Sequence, residues 1–140
     1  MTIPPFHLAF PVRDIEVTRV FYQDIIGCSV GREDLRWIDF DFFGHQISAH
    51  VVDGPEEPAP TNTVDGKQVP VRHFGAILGR AEWDALADRF RRSDVRFLIE
   101  PYVRWAGKPE EQATMFVLDP SGNGLEFKSF RSPDAVWAVS

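Results

Sequence analysis

Two histidines and one glutamate could do chemistry together. His7 lies in the apolar run "FHLAFPV", His73 in "VRHFGAIL" and Glu126 in "GLEFKSF", and the two histidines are 66 residues apart. Two imidazoles and one carboxylate converging from one side form a facial triad, which leaves coordination positions open for water, substrate or dioxygen. Nitrogen and oxygen donors in this mix suit Fe(II), Mn(II), Ni(II) or Zn(II). Each residue also has a plainer reading. A histidine in an apolar strand is often a hydrogen-bonded core residue, and Glu126 can pair with Lys128 on the same strand face. Glu126 needs some partner, because a carboxylate between Leu125 and Phe127 is seldom buried alone.

Strands must position these side chains, and strand parity decides whether they can meet. Residues two apart share a face, so His7, Ala9 and Pro11 point one way, as do His73, Gly75 and Ile77, and Gly124, Glu126 and Lys128. If two such sheets pair into one curved surface, His7, His73 and Glu126 converge.

The intervening chain reads as the same order of elements twice. After "FHLAFPV", Asp14 is a good helix N-cap. Val17, Val20, Phe21 and Ile25 then recur at helical spacing, and Gly27 ends the helix. "CSVGR" is a short strand or turn. "LRWIDFDFF" puts Trp37, Asp39 and Asp41 on one face and Ile38, Phe40 and Phe42 on the other. "GH" is a turn and "QISAHVV" a returning strand. Residues 53–70 hold four prolines and two glycines and read as a surface linker. The second half gives a strand at "VRHFGAIL" and a helix at "RAEWDALADRFRRS" with Trp83, Leu86, Ala87 and Phe90 as its buried stripe. A strand at "VRFLIE" and a loop at "PYVRWAGKPEE" follow. "QATMFVL" and "GLEFKSF" are strands joined by the turn "DPSGN". The expected fold is therefore α+β, with βαβββ repeated: module 1 (5–52), the linker (53–70) and module 2 (71–131) in one domain over 1–140.

Bulk properties exclude several classes. The 140 residues carry a net charge of −6, which opposes nucleic-acid binding and attachment to an acidic membrane surface. The single cysteine, Cys28, rules out an intrachain disulfide and fits a reducing, cytoplasmic setting. No signal peptide or membrane span is expected. No Rossmann or phosphate-loop motif supports a nucleotide cofactor.

"HLAFPVRDIEVTRVFYQDIIGC", "HFGAIL" and "FVLDPSGNGLEF", in this order, resemble the vicinal oxygen chelate superfamily, which includes glyoxalase I, extradiol dioxygenases, fosfomycin-resistance enzymes and bleomycin-binding proteins. More narrowly, the chain resembles small single-domain members described as dioxygenase-like. The resemblance implies two βαβββ modules pairing into an incomplete barrel around a metal site. It matches the family's ligands to His7, His73 and Glu126. It also implies a small-molecule substrate, a divalent ion with Fe(II) favoured, and a homodimer. An extradiol-type dioxygenase acting on a small catechol-like or vicinal-oxygen substrate leads. A glyoxalase-type lyase with Ni(II) or Zn(II) and a non-catalytic drug-binding protein are the alternatives.

One departure bears on that choice. Glyoxalase I carries a fourth ligand, usually Glu, on the last strand of its first half. Setting "GHQISAH" against "GNGLEFK" puts Ser48 opposite Glu126. Serine is a poor ligand, while Gln46 and His50 lie on the same face. His50 is the expected proton-transfer residue, with a fourth ligand or a core histidine as its other readings. Arg104, Trp105 and Tyr102 are expected in the long loop of the second half; an ordinary surface loop is the leading reading, while an arginine over the site would suit an anionic substrate.

Overall fold

In a computed structural model of the chain, residues 2–55 and 58–139 are described. The chain divides into two compact units. Unit 1 is Met1–Pro58 with Asp119–Asn123, and unit 2 is Ala59–Leu118 with Gly124–Ser140.

Unit 1 holds β1 (His7–Val12), α1 (Ile15–Arg19), a π-helical continuation (Val20–Ile26), β2 (Ser29–Asp34), β3 (Trp37–Phe42) and β4 (His45–Val51). Its sheet runs in the order β1-β4-β3-β2, with β1 parallel to β4 and the other pairs antiparallel. Asp14 caps α1 through its carboxylate, which accepts from the Val17 N–H at 3.0 Å. Gly27 closes the helical run at φ +99°, a conformation that costs glycine little.

The buried stripe of that helix differs from the sequence expectation. Thr18, Phe21, Tyr22 and Ile26 are buried, while Val17 and Val20 are about half exposed. The shift is already present within α1, where Thr18 is buried and Val17 is not, and Phe21 and Tyr22 continue that face at ordinary helical spacing before the wider turns run on to Ile26. Tyr22 thereby enters the core beside Phe10, Phe21 and Phe40, with ring centroids 4.9–5.6 Å away. The alternation in β3 is as expected, with Ile38, Phe40 and Phe42 buried.

Unit 2 holds β5 (Thr61–Val64), β6 (Lys67–Pro70), β7 (His73–Ile77), α2 (Arg80–Arg92), β8 (Phe97–Arg104), β9 (Gln112–Leu118) and β10 (Gly124–Phe130). The sheet order β7-β10-β9-β8, with β7 parallel to β10, repeats that of unit 1. α2 buries Trp83, Leu86, Ala87 and Phe90, the expected stripe. The Trp83 indole donates to the Phe127 carbonyl at 2.9 Å, and Phe90 packs on the Phe127 ring at 5.7 Å. Fully burying a side chain such as Phe127 contributes roughly 1.5–3 kcal/mol.

Two segments of unit 2 are more ordered than the sequence implied. Residues 61–70, read above as linker, form the β5–β6 hairpin around Asp65 (φ +50°) and Gly66 (φ +77°), the two left-handed positions a tight hairpin needs. Its Val69 is buried with Ile99 and Phe116. β8 runs on through Pro101 to Arg104, so Tyr102 and Arg104 are strand residues and not part of a loop. The β8–β9 register is irregular between Ile99 and Tyr102, which accommodates a proline that has no N–H for the ladder.

Candidate metal centre

In unit 1 the outward face of β1 presents His7, and its register partner on β4 is Gln46. His7 Nδ1 lies 2.8 Å from Gln46 Oε1. The Gln46 amide nitrogen donates to Asp39 Oδ2 at 3.3 Å, so its carbonyl oxygen faces the imidazole. A carbonyl only accepts, so Nδ1 carries the proton and donates it. His7 Nε2 then holds the lone pair of the neutral ring. Asp39 is fixed in turn, since the Ser48 hydroxyl donates to Asp39 Oδ1 at 2.6 Å.

Unit 2 builds its histidine in the same way from different parts. His73 Nδ1 lies 2.8 Å from the Pro70 carbonyl oxygen and donates to it. The ring packs edge-on against Phe116 at 4.8 Å. In the neutral ring Nε2 holds the lone pair, and this atom points at Glu126 Oε1 from 3.5 Å. Glu126 Oε2 accepts from the Thr114 hydroxyl at 2.7 Å, which leaves Oε1 as the oxygen turned toward His73. Lys128 Nζ is 3.8 Å from the same Oε1, the pairing anticipated from strand parity.

The His73–Glu126 contact shows what the pair can hold. A separation of 3.5 Å is long for an N–H···O bond, which prefers about 2.7–3.2 Å. In the neutral ring it sets a lone pair against a carboxylate, an arrangement that a shared cation relieves. Two ligands each about 2.1 Å from a shared ion stand about 3.0–3.4 Å apart, close to the observed distance. Neutral imidazole nitrogens and a carboxylate oxygen, with the other imidazole nitrogens bonded to carbonyls, are a donor set that fits a divalent ion. His73 and Glu126 are thus brought together. His7 lies in the other unit, and among the described residues no group of three His, Cys, Asp or Glu side chains stands close enough to hold an ion.

The register makes the internal comparison explicit. His7 pairs with Gln46 and Ala9 with Ser48 in unit 1; His73 pairs with Gly124 and Gly75 with Glu126 in unit 2. Ser48 therefore occupies the place in unit 1 that Glu126 holds in unit 2, as the sequence comparison had it. Its hydroxyl is used on Asp39 and the Gln46 carbonyl on His7. His50 is exposed two residues further along β4, opposite Trp37. Asp39 was not singled out by the sequence reading. Its signal was its parity in β3, directly across from Ser48.

The Tyr102–Arg104 region is committed elsewhere. Arg104 pairs with Asp65 at 3.5 Å and stacks over the Trp105 ring at 4.3 Å. Tyr102 donates to the Asp65 carboxylate; burial and that bond push its phenol above the usual range.

A family model described as Glyoxalase/Bleomycin resistance protein/Dioxygenase superfamily matches residues 5–127. A crystal structure of a glyoxalase/bleomycin resistance protein/dioxygenase from Alicyclobacillus acidocaldarius is 31% identical. It has a TM-score of 0.77, over 94% of this chain and 95% of that one. The fosfomycin resistance protein FosX from Listeria monocytogenes has a TM-score of 0.69 at 17% identity, over 96% of this chain and 98% of that one. FosX from Mesorhizobium loti gives 0.69 at 14%, over 99% and 100%. A search of curated proteins finds no match.

Proposed function

Since the chain belongs to the glyoxalase/bleomycin resistance protein/dioxygenase superfamily, we propose that it is a divalent-metal enzyme whose ion is held by His7, His73 and Glu126. The observation that carries this reading is the His73 Nε2–Glu126 Oε1 approach at 3.5 Å, with the opposite atom of each group held from behind, His73 Nδ1 by the Pro70 carbonyl and Glu126 Oε2 by Thr114. His7 supports it with the same Nδ1–H arrangement in its own unit.

The finer assignment is an extradiol-type dioxygenase acting on a small catechol-like substrate, with Fe(II) as the favoured ion and Mn(II), Ni(II) and Zn(II) as alternatives. Held by His7, His73 and Glu126, a divalent ion would act as a Lewis acid and polarise the substrate oxygens bound beside it. The chain's own residues would do the rest. Thr114 holds one Glu126 oxygen so that the other is presented. The Pro70 carbonyl keeps the proton on His73 Nδ1, away from the ligand nitrogen. His50, exposed on the strand that carries Gln46 and Ser48, would move the proton released when a catechol binds. We further expect a homodimer, and a cytoplasmic setting suited to the one buried thiol.

One observation favours a different reading. Lys128 lies 3.8 Å from Glu126 and partly neutralises it without any metal, as a small-molecule binding protein would need.

Elemental analysis after reconstitution separates the two. The metal reading expects about one ion per chain, lost in His73→Ala and in Glu126→Ala. Oxygen uptake with catechols, run against turnover of a hemithioacetal, then distinguishes dioxygenase from glyoxalase chemistry. A chain that takes up no metal, yet binds small aromatics equally well after both substitutions, would sink it.

A further inference from the structure

We infer that Asp39 and Gln46 are a positioning pair for His7, so that the place in unit 1 matching Glu126 supplies support for a ligand and is not itself a ligand. The inference rests on the metal reading for what His7 is positioned toward. Its own geometry lies wholly within unit 1.

Three bonds in series carry it. The Ser48 hydroxyl donates to one Asp39 oxygen at 2.6 Å, and the Gln46 amide nitrogen donates to the other at 3.3 Å. The Gln46 carbonyl accepts from His7 Nδ1 at 2.8 Å. The direction is fixed at its acidic end, because an ionised carboxylate only accepts. Asp39 therefore decides which end of the Gln46 amide faces the imidazole, and that end decides the tautomer. Reversing the amide would set its N–H₂ against Nδ1 and move the ring proton to Nε2, the atom needed for an ion. The strand register holds the pieces in place, with Asp39 opposite Ser48, Asp41 opposite Gln46 and Gln46 opposite His7. Outer partners of this kind fix the orientation and basicity of a liganding imidazole, and losing one costs about 10–100-fold in metal affinity.

Unit 2 supports the reading by contrast. Position 124, which matches Gln46, is glycine, and position 116, which matches Asp39, is phenylalanine. There the imidazole is held by a backbone carbonyl instead. The side-chain chain of unit 1 thus stands where unit 2 has a carboxylate ligand and an apolar wall.

The test uses exchange of donor and acceptor. Long-range proton–nitrogen spectra of the imidazoles are recorded on the metal-free chain at about pH 9, above the ordinary histidine range. The wild type should show His7 as the Nδ1–H tautomer, and Gln46→Leu should move it toward Nε2–H. Metal affinity should fall about 10–100-fold in Gln46→Leu. Gln46→Glu alone sets two carboxylates against each other and should also weaken binding. Adding Asp39→Asn restores an N–H···O pair and should return affinity to within about threefold of wild type. A merely structural role would lower the melting temperature in every variant without moving the tautomer.

A wild type already in the Nε2–H form, or an Nδ1–H form that survives Gln46→Leu, overturns the inference. So does a double variant no better than Gln46→Glu. Tighter binding in Gln46→Glu would place residue 46 on the ion and overturn it as well. If the wild type takes up no metal, the functional reading fails, while the tautomer spectra still decide the positioning pair.

Discussion

Gly75 stands directly opposite Glu126 in the parallel β7–β10 ladder, and a Cβ added to it would lie 1.6 Å from the Glu126 carbonyl oxygen. No rotamer change relieves a clash with backbone, so the two strands can run at this spacing only over a glycine. The same spacing brings His73 within reach of Glu126. Gly75→Ala should therefore cost at least the roughly 1–3 kcal/mol typical of overpacking, seen as a lowered denaturation midpoint. It should also weaken metal binding together with stability. A variant of unchanged stability would mean that the ladder tolerates the extra carbon.

Thr114 offers a cleaner separation of support from fold. Its hydroxyl is the donor to Glu126 Oε2. Thr114→Val keeps the shape and removes the bond, at about 0.5–1.5 kcal/mol in stability. Metal affinity should drop by about tenfold or more, because the carboxylate is freed to rotate. Isothermal titration alongside thermal melts checks both numbers.

Deep in unit 1 the Tyr22 hydroxyl donates to Asp119 Oδ2 at 2.8 Å, and Asn123 donates to the same oxygen at 2.9 Å. Burial pushes the Asp119 carboxyl above its ordinary 3.8, against the pull of its hydrogen bonds. A carboxyl with a raised folded pKa holds its proton more tightly in the folded chain. Its contribution is full below 3.8 and is lost as pH rises through the raised value. The stability of wild type relative to Asp119→Asn should therefore decline from about pH 4 toward neutrality. A difference that stays flat with pH would contradict the shift. Tyr22→Phe should cost about 1–3 kcal/mol, since it strips a donor from a buried carboxylate.

Cys28 should be inert in the native chain. Burial, with the nearby Asp41 carboxylate, pushes its thiol up to about 12, so almost no thiolate exists near neutral pH. Alkylation by iodoacetamide should be negligible until denaturant is added. Rapid native labelling would show that the site opens.

Much of this was readable from residue types and spacing. The strand parity of His7, His73 and Glu126 and the α2 stripe follow from a period of two or 3.6, and Ser48 standing in the place of Glu126 follows from setting the last strands of the two halves side by side. What escaped depends on partners outside the local pattern. Tyr22 turns inward on the face that Thr18 already sets, and a threonine leading the buried face is something no apolar count in residues 15–26 reveals. The β5–β6 hairpin hides in a proline-rich stretch because its one buried anchor, Val69, is a single residue in a polar run. Pro101 looked like a strand stop, but the register slip around it carries β8 onward. The Asp39–Gln46 contact needed two neighbouring strands aligned before it could be seen.

The turn Asp119–Asn123 belongs to unit 1 although β9 and β10 on either side of it belong to unit 2. It brings more than an acceptor for Tyr22: the Asn123 side chain donates to the Pro11 carbonyl, and Ser121 Oγ accepts from the Arg13 N–H. During translation these partners leave the ribosome roughly a hundred residues after the strand and helix they complete. The amino-terminal half must wait with its central phenol unsatisfied, so its final cooperative step follows the emergence of this turn and not its own completion.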